Sequence, residues 1–169
     1  MPTKAIRTII VTLIFAGSLF LCYSISRKII LKYRTQSKLQ ILPTVSMFKM
    51  DSSTFIFPSS SVNILVYFNS ECEHCQYELS EIRKNINLFE DNSIVLLSSE
   101  NIASIKKTSF DFELANVPNV YFVKINPGDV YKTMGTVSFP HIFIYGKDHK
   151  LIKEFKGKAK IEAILKYIP

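Results

Sequence analysis

The 169-residue sequence predicts a single α/β domain carried behind one long apolar segment. Three observations point there. Residues 9–25 (IIVTLIFAGSLFLCYSI) contain no charge, and with the apolar positions before them they reach the length that crosses a hydrocarbon core as a helix. Residues 62–68 (VNILVYF) form a continuous apolar and β-branched run of strand length, and Leu79, Ile82, Ile86 and Phe89 follow at helical spacing. A buried strand feeding an amphipathic helix is the unit of an α/β sheet. At the join stand two cysteines, in the run Glu71-Cys72-Glu73-His74-Cys75-Gln76-Tyr77-Glu78.

The apolar segment reads as an N-terminal transmembrane helix, with residues 1–26 as the anchor and residues 5–26 in the bilayer. A cleaved signal peptide is the rival reading, since Ala16-Gly17-Ser18 and Ser24-Ile25-Ser26 offer small residues. Cys22, inside the segment, reads as apolar filler. The net charge of +7 would ordinarily raise nucleic-acid binding. Lys4, Arg7, Arg27, Lys28, Lys32, Arg34 and Lys38 account for all of it, and the rest of the chain is balanced. No nucleic acid is therefore expected as a partner. The basic residues after the segment outnumber those before it, which by charge alone places the domain on the cytoplasmic side. Residues 27–44, basic and ending in Leu42-Pro43-Thr44, read as a juxtamembrane linker, and residues 45–169 as the domain.

Within the domain, residues 46–57 read as a peripheral hairpin and Pro58-Ser59-Ser60-Ser61 as a turn. Residues 93–97 (SIVLL) and 119–124 (NVYFVK) are the second and third strands, with a helix over 101–112 between them. Asn126-Pro127-Gly128 breaks the chain before a short helix or turn at 129–134. Residues 141–145 (HIFIY) and 151–155, joined by Gly146-Lys147-Asp148-His149, form a β-hairpin led by Pro140. A helix over 158–168 closes the chain, with Ile161, Ile164, Leu165 and Ile168 on one face.

The chemistry lies in the cysteine pair. At a helix N-terminus, free N–H groups and the helix dipole favour an anion, here a thiolate. Cys72, at the exposed start, is the expected nucleophile, and Cys75, one turn in, the resolving thiol. His74 would favour the thiolate, whereas Glu71 and Glu73 oppose it. Three cysteines are too few for a disulfide scaffold. One C-x-x-C without a second cysteine pair is also a poor structural zinc site, so no metal is expected. A binding module is the rival class. It would be either a copper-handling domain using Cys72, Cys75 and His141 or a tethered docking domain with idle cysteines.

The run 72–78 is followed by Val130-Tyr131-Lys132-Thr133-Met134-Gly135-Thr136, by residues 139–152 (FPHIFIYGKDHKLI) and by Phe155-Lys156-Gly157. Together these resemble the TlpA/ResA-like branch of the thioredoxin-like superfamily, membrane-anchored thiol-disulfide oxidoreductases, from roughly residue 45 to the C-terminus. The resemblance implies a thioredoxin-like fold, a central mixed sheet flanked by helices. It implies that Pro140 is a cis-proline facing the cysteines, with the Phe139 backbone accepting a substrate strand, and that Glu78 moves the proton of thiol exchange. Glu73 and His74 then tune the site. The implied partners are protein thiols or disulfides and a membrane redox partner, with no bound cofactor. The implied place is the inner (cytoplasmic) membrane with the domain extracytoplasmic or periplasmic, against the charge bias. Three positions depart from the family. Val66 stands where plain thioredoxins bury an Asp, Glu71 replaces the usual Trp, and bulky Phe139 precedes the proline.

Overall fold

The computed structural model of the chain describes residues 2–58, 62–135 and 138–168. It divides into two units, residues 1–37 and 38–169.

The first unit is helical. Helix α1 runs without a break over Pro2–Leu39. Its stretch Thr12–Ile30, mean hydropathy 1.5, is long and apolar enough to cross a membrane, and none of it is buried. By length and composition a signal sequence passes the same test. Helix α1 contains the whole of the expected 5–26, and the apolar stretch found among the described residues runs on past Arg27 and Lys28 to Ile29 and Ile30. The expected linker is likewise helical as far as Leu39. Residues 27–39 contain neither Gly nor Pro and are rich in Lys, Arg, Ile and Leu, all compatible with a helix interior.

The second unit begins ahead of residue 45, since Leu39 and Leu42 are buried in it. Leu151 N–H donates to the Gln40 carbonyl at 2.9 Å and Leu42 N–H to the His149 carbonyl at 2.8 Å, so this segment is bound rather than free. Six strands follow: β1 Met47–Lys49, β2 Asn63–Tyr67, β3 Ser93–Ser98, β4 Val120–Ile125, β5 His141–Tyr145 and β6 Leu151–Lys156. They form one mixed sheet in the order β1-β4-β3-β2-β5-β6. Strands β2, β3 and β4 are parallel. Strands β5, β6 and β1 join antiparallel. Helices α2 Glu73–Lys84, α3 Ile102–Asp111, α4 Pro127–Met134 and α5 Ile161–Leu165 flank the sheet, and Ile86 and Phe89, expected on the helix after β2, lie in a separate 3-10 turn, Ile86–Phe89.

Parallel strands need both faces covered, which is why β2 and β3 are apolar at nearly every position and buried throughout. Side chains alternate between the faces. Ile64, Val66, Ile94, Leu96, Ile142 and Ile144 pack with Cys75, Leu79 and Ile82 of α2 and with Ile161 and Ile164 of α5. Leu65, Tyr67, Val95, Leu97, Phe143 and Tyr145 pack with Val130 and Met134 of α4 and with Leu39, Leu42 and Phe55.

Several boundaries differ from the sequence expectation for local reasons. The expected hairpin at 46–57 keeps one strand, β1, closed by a single bridge between Phe48 and Thr54. Asn126-Pro127-Gly128 starts α4 instead of only breaking the chain, with Asn126 at the N-cap and Pro127 in the first turn, where its missing N–H costs nothing. The closing helix is shorter than 158–168. Lys160 is its N-cap, and Tyr167 and Ile168 bond back three residues to Ile164 and Leu165, which tightens its end. Ser59, Ser60 and Ser61 of the expected turn, and Thr136 of the family-like run, lie outside the described residues.

Candidate active site

Strand β2 ends at Tyr67, and residues 68–72 cross to the head of α2. Cys72 is the N-cap of α2 in extended conformation. Its carbonyl accepts the N–H groups of Cys75 at 2.9 Å and Gln76 at 3.0 Å, closing the first turn. The two cysteines, both free, therefore sit in different surroundings, Cys72 half-buried and Cys75 buried. Burial pushes the Cys75 thiol up to about 12, with Cys72 and Glu78 beside it acting in the same direction. Cys75 is thus a thiol that gives up its proton only to a well-placed acceptor.

Phe139 and Pro140, joined by a cis peptide bond, face Cys72 from the start of β5. The Cys72 Sγ lies 3.8 Å from the Phe139 carbonyl oxygen, with the thiol as donor. The Phe139 ring is a third exposed and stacks on Tyr67 at 5.0 Å between centroids. Tyr67 Oη is in turn 2.9 Å from Ser99 Oγ.

Glu78 lies one helical turn beyond Cys75 and is fully buried. Its Oε2 accepts the Ala159 N–H at 2.9 Å, while Oε1 is buried without a partner. Burial raises the carboxyl to about 7, and the Ala159 bond and the nearby Lys158 offset only part of that. Val66, at the position where an Asp would sit in plain thioredoxins, belongs to the apolar cluster around Cys75. The buried carboxylate near this cysteine therefore comes from α2 itself. Glu73 and His74 stand exposed on the first turn of α2. Beside them, Tyr77 carries the Lys158 ammonium over its ring at 4.9 Å.

The structure thus gathers Cys72, Cys75, Glu78, Phe139 and Pro140 at one end of the sheet. His141, the third ligand of the copper alternative, is otherwise engaged. Its Nε2 is 2.7 Å from Glu154 Oε1, and its ring packs on Phe143 at 4.1 Å. Among the described residues no three His, Cys, Asp or Glu side chains converge as a metal site.

Sequence reasoning missed two supports of the site. One is the Ala159 N–H that meets Glu78, and the other is Glu100, whose Oε2 accepts the Ser70 N–H at 2.8 Å and whose Oε1 accepts the Ser70 hydroxyl at 2.6 Å. Both partners are distant along the chain, so no spacing signals them.

No family model matches the sequence, and no curated protein does so. Solved structures match the fold. The thioredoxin domain of a thiol-disulfide oxidoreductase from Bacteroides vulgatus superposes with a TM-score of 0.65 at 16% identity, covering 78% of this chain and 97% of that one. An uncharacterized thioredoxin-like protein from Porphyromonas gingivalis gives 0.60 at 19% identity, over 75% and 88% of the two chains. A secreted disulfide oxidoreductase of Mycobacterium tuberculosis gives 0.58 at 12% identity, over 73% and 88%. At such identities the likeness is one of fold. This chain has a thioredoxin-like α/β fold with a C-x-x-C pair at the head of its second helix.

Proposed function

We propose that this chain is a membrane-anchored thiol-disulfide oxidoreductase that exchanges disulfides with partner proteins. The observation that carries the reading is the asymmetry of the dithiol. Cys72 is accessible at the head of α2, facing the Phe139 carbonyl at 3.8 Å, and Cys75 is buried behind it.

Starting from the dithiol, the Cys72 thiolate attacks one sulfur of a partner disulfide. A bond between Cys72 and the partner forms as the partner's S–S bond breaks, and the departing partner sulfur takes up a proton. Cys75 then attacks Cys72 Sγ, which forms the Cys72–Cys75 disulfide and releases the partner's second sulfur as a thiol. Two electrons and two protons pass to the partner, and the reverse sequence oxidises a partner dithiol. Cys75 must lose its proton to attack. Glu78, one turn away with its carboxyl raised to about 7, is poised to take it near neutral pH. Phe139 and Pro140 offer a backbone edge beside the sulfur for the partner's strand. Glu73 and His74 set the local charge at the exposed first turn.

Residues 1–26 serve as the anchor, inner-membrane and single-pass, with residues 5–26 in the bilayer and the domain extracytoplasmic or periplasmic. Support comes from the apolar length of Thr12–Ile30. A membrane redox partner then resets the dithiol, and no bound cofactor takes part. Membranes washed in alkaline carbonate should retain the chain, and its intact mass should include residues 1–26. A soluble chain lacking them would replace the anchor with a cleaved signal.

The chemical test is a redox titration of the full chain in detergent, trapping thiols by alkylation. A single two-electron transition is expected, lost in Cys72→Ser and in Cys75→Ser. A potential near about −270 mV marks a reductant and one near about −120 mV an oxidant. If no Cys72–Cys75 disulfide forms at any poise, the reading fails.

A further inference from the structure

The loop that delivers Cys72 is held partly by itself and partly by α2. Glu71 N–H donates to Asn69 Oδ1 at 3.0 Å, and Cys72 N–H donates to the Asn69 carbonyl at 3.2 Å. Gln76 Nε2 donates to the Ser70 carbonyl at 2.8 Å. A further grip comes from outside this loop and helix. Glu100 lies just past the end of β3, and its two carboxylate oxygens accept both donors of Ser70, the N–H at 2.8 Å and the hydroxyl at 2.6 Å. Glu100 is itself fixed by Ser98, a fully buried residue of β3. The Ser98 hydroxyl donates to Glu100 Oε2 at 3.0 Å, and Glu100 N–H donates to Ser98 Oγ at 3.2 Å.

We propose that Glu100 is a positioning residue for the nucleophile. By gripping Ser70 it fixes residues 69–72 against the end of β3, and so holds the Cys72 sulfur at the head of α2 opposite the Phe139 carbonyl. The inference rests on the oxidoreductase reading above and deepens it. Glu100 acts through Ser70 and takes no proton in the exchange. Glutamine can still meet Ser70, its oxygen accepting the N–H and its amide N–H donating to the hydroxyl oxygen, so alanine is the substitution that removes the grip.

Position and charge make opposite demands, which gives the inference a signed test. A carboxylate near a thiol disfavours the thiolate, so loss of the charge alone would speed alkylation. Loss of the grip lets the sulfur move away from the N–H groups and dipole at the helix head that stabilise its thiolate. Glu71, Glu73 and His74 along the chain, Cys75 and Glu78 deeper in α2, and His141 behind Pro140 stay in place in every variant.

The experiment follows alkylation of Cys72 in the reduced full chain by iodoacetamide across a pH series, read by peptide mass, with thermal melts and a glutathione titration alongside. Glu100→Ala is expected to raise the pH midpoint and to slow alkylation at pH 7 by about tenfold, the change one pH unit gives, whereas Glu100→Gln, which keeps the contact and loses the charge, should not raise it. Ser70→Ala keeps the backbone bond and should shift midpoint and rate in the same direction as Glu100→Ala, by less. The double variant should be no slower than Glu100→Ala alone. An unchanged midpoint in Glu100→Ala overturns the inference, as does a lowered one, which would make Glu100 only an electrostatic neighbour. If Glu100→Ala does not fold, Ser70→Ala decides by the same readout. If the wild-type chain forms no Cys72–Cys75 disulfide in any glutathione buffer, the oxidoreductase reading is what fails, and the alkylation midpoints still judge the role of Glu100.

Discussion

On one face of the sheet, Ile64, Val66, Ile94 and Leu96 meet α2 and α5. On the other, Leu65, Val95, Leu97 and Phe143 meet α4 and the segment after α1. Each face buries a titratable side chain with a nitrogen or oxygen left unpartnered, Glu78 Oε1 on the first and His141 Nδ1, along with the Tyr145 hydroxyl, on the second. Burial drives both toward the neutral form, raising the Glu78 carboxyl and lowering the His141 imidazole. Their neighbours differ. Glu78 lies one turn from Cys75 with the Ala159 N–H as its donor, whereas His141 is tied to Glu154 and packed on Phe143. Burial alone makes a group shift, and what stands beside it decides whether the shift serves chemistry.

The packing half of this comparison is tested by Leu96 and Leu97, adjacent on β3, fully buried and pointing to opposite faces. Leu96→Ala and Leu97→Ala should each cost about 2–5 kcal/mol in equilibrium unfolding, since each leaves a cavity in a filled cluster. A near-neutral result for either would show that one face is loosely filled. The chemical half is tested next by Glu78→Gln. Its carboxyl rises from the usual 4.5 to about 7 in the folded chain, so the native state holds this proton more tightly than the unfolded state does. The contribution is fully present below about pH 4.5 and is lost as pH rises through 7, an amount on the order of 3 kcal/mol. Unfolding midpoints measured from pH 4 to 8 should lack this loss in the glutamine variant. The same variant should resolve mixed disulfides about a hundredfold more slowly at neutral pH, the scale of a lost general base. A wild-type rate would remove Glu78 from the mechanism.

Much of this was legible in the sequence where information is local. The apolar run 62–68, the cysteine pair and the spacing of Leu79 and Ile82 place the strand, the N-cap and the buried side of α2, because periodicity reports burial directly. The hairpin led by Pro140 was legible from its turn residues. What escaped depends on contacts between distant positions. Nothing near Gln40 announces that Leu151 will bond to it, so the segment after residue 38 read as linker. Nothing near Ser70 announces Glu100 thirty positions on. The ends of α5 escaped for a related reason. Residues 157–159 form a bend and irregular chain, with Gly157 at positive φ, where Ala159 N–H meets Glu78, a tertiary demand that overrides helix propensity in Lys158 and Ala159.

The last prediction separates the faces by sign. His141 is lowered from the usual 6.5, mainly by burial and against the pull of Glu154. Its contribution to stability is therefore present above about pH 6.5 and lost as pH falls below it, because the unfolded chain then binds a proton that the folded chain resists. Between about pH 4.5 and 6.5 this slope opposes that of Glu78, so the wild-type profile is flattened by two groups on opposite faces. His141→Gln should remove one of them, leaving stability that declines as pH rises through this range, whereas Glu78→Gln should leave stability that climbs. The exchange rate should stay at the wild-type value in His141→Gln, since the imidazole is bound to Glu154 and packed on Phe143. A rate as low as that of Glu78→Gln would mean that the sheet transmits the protonation of one face to the chemistry of the other, and the division of labour drawn between Glu78 and His141 would have to be abandoned.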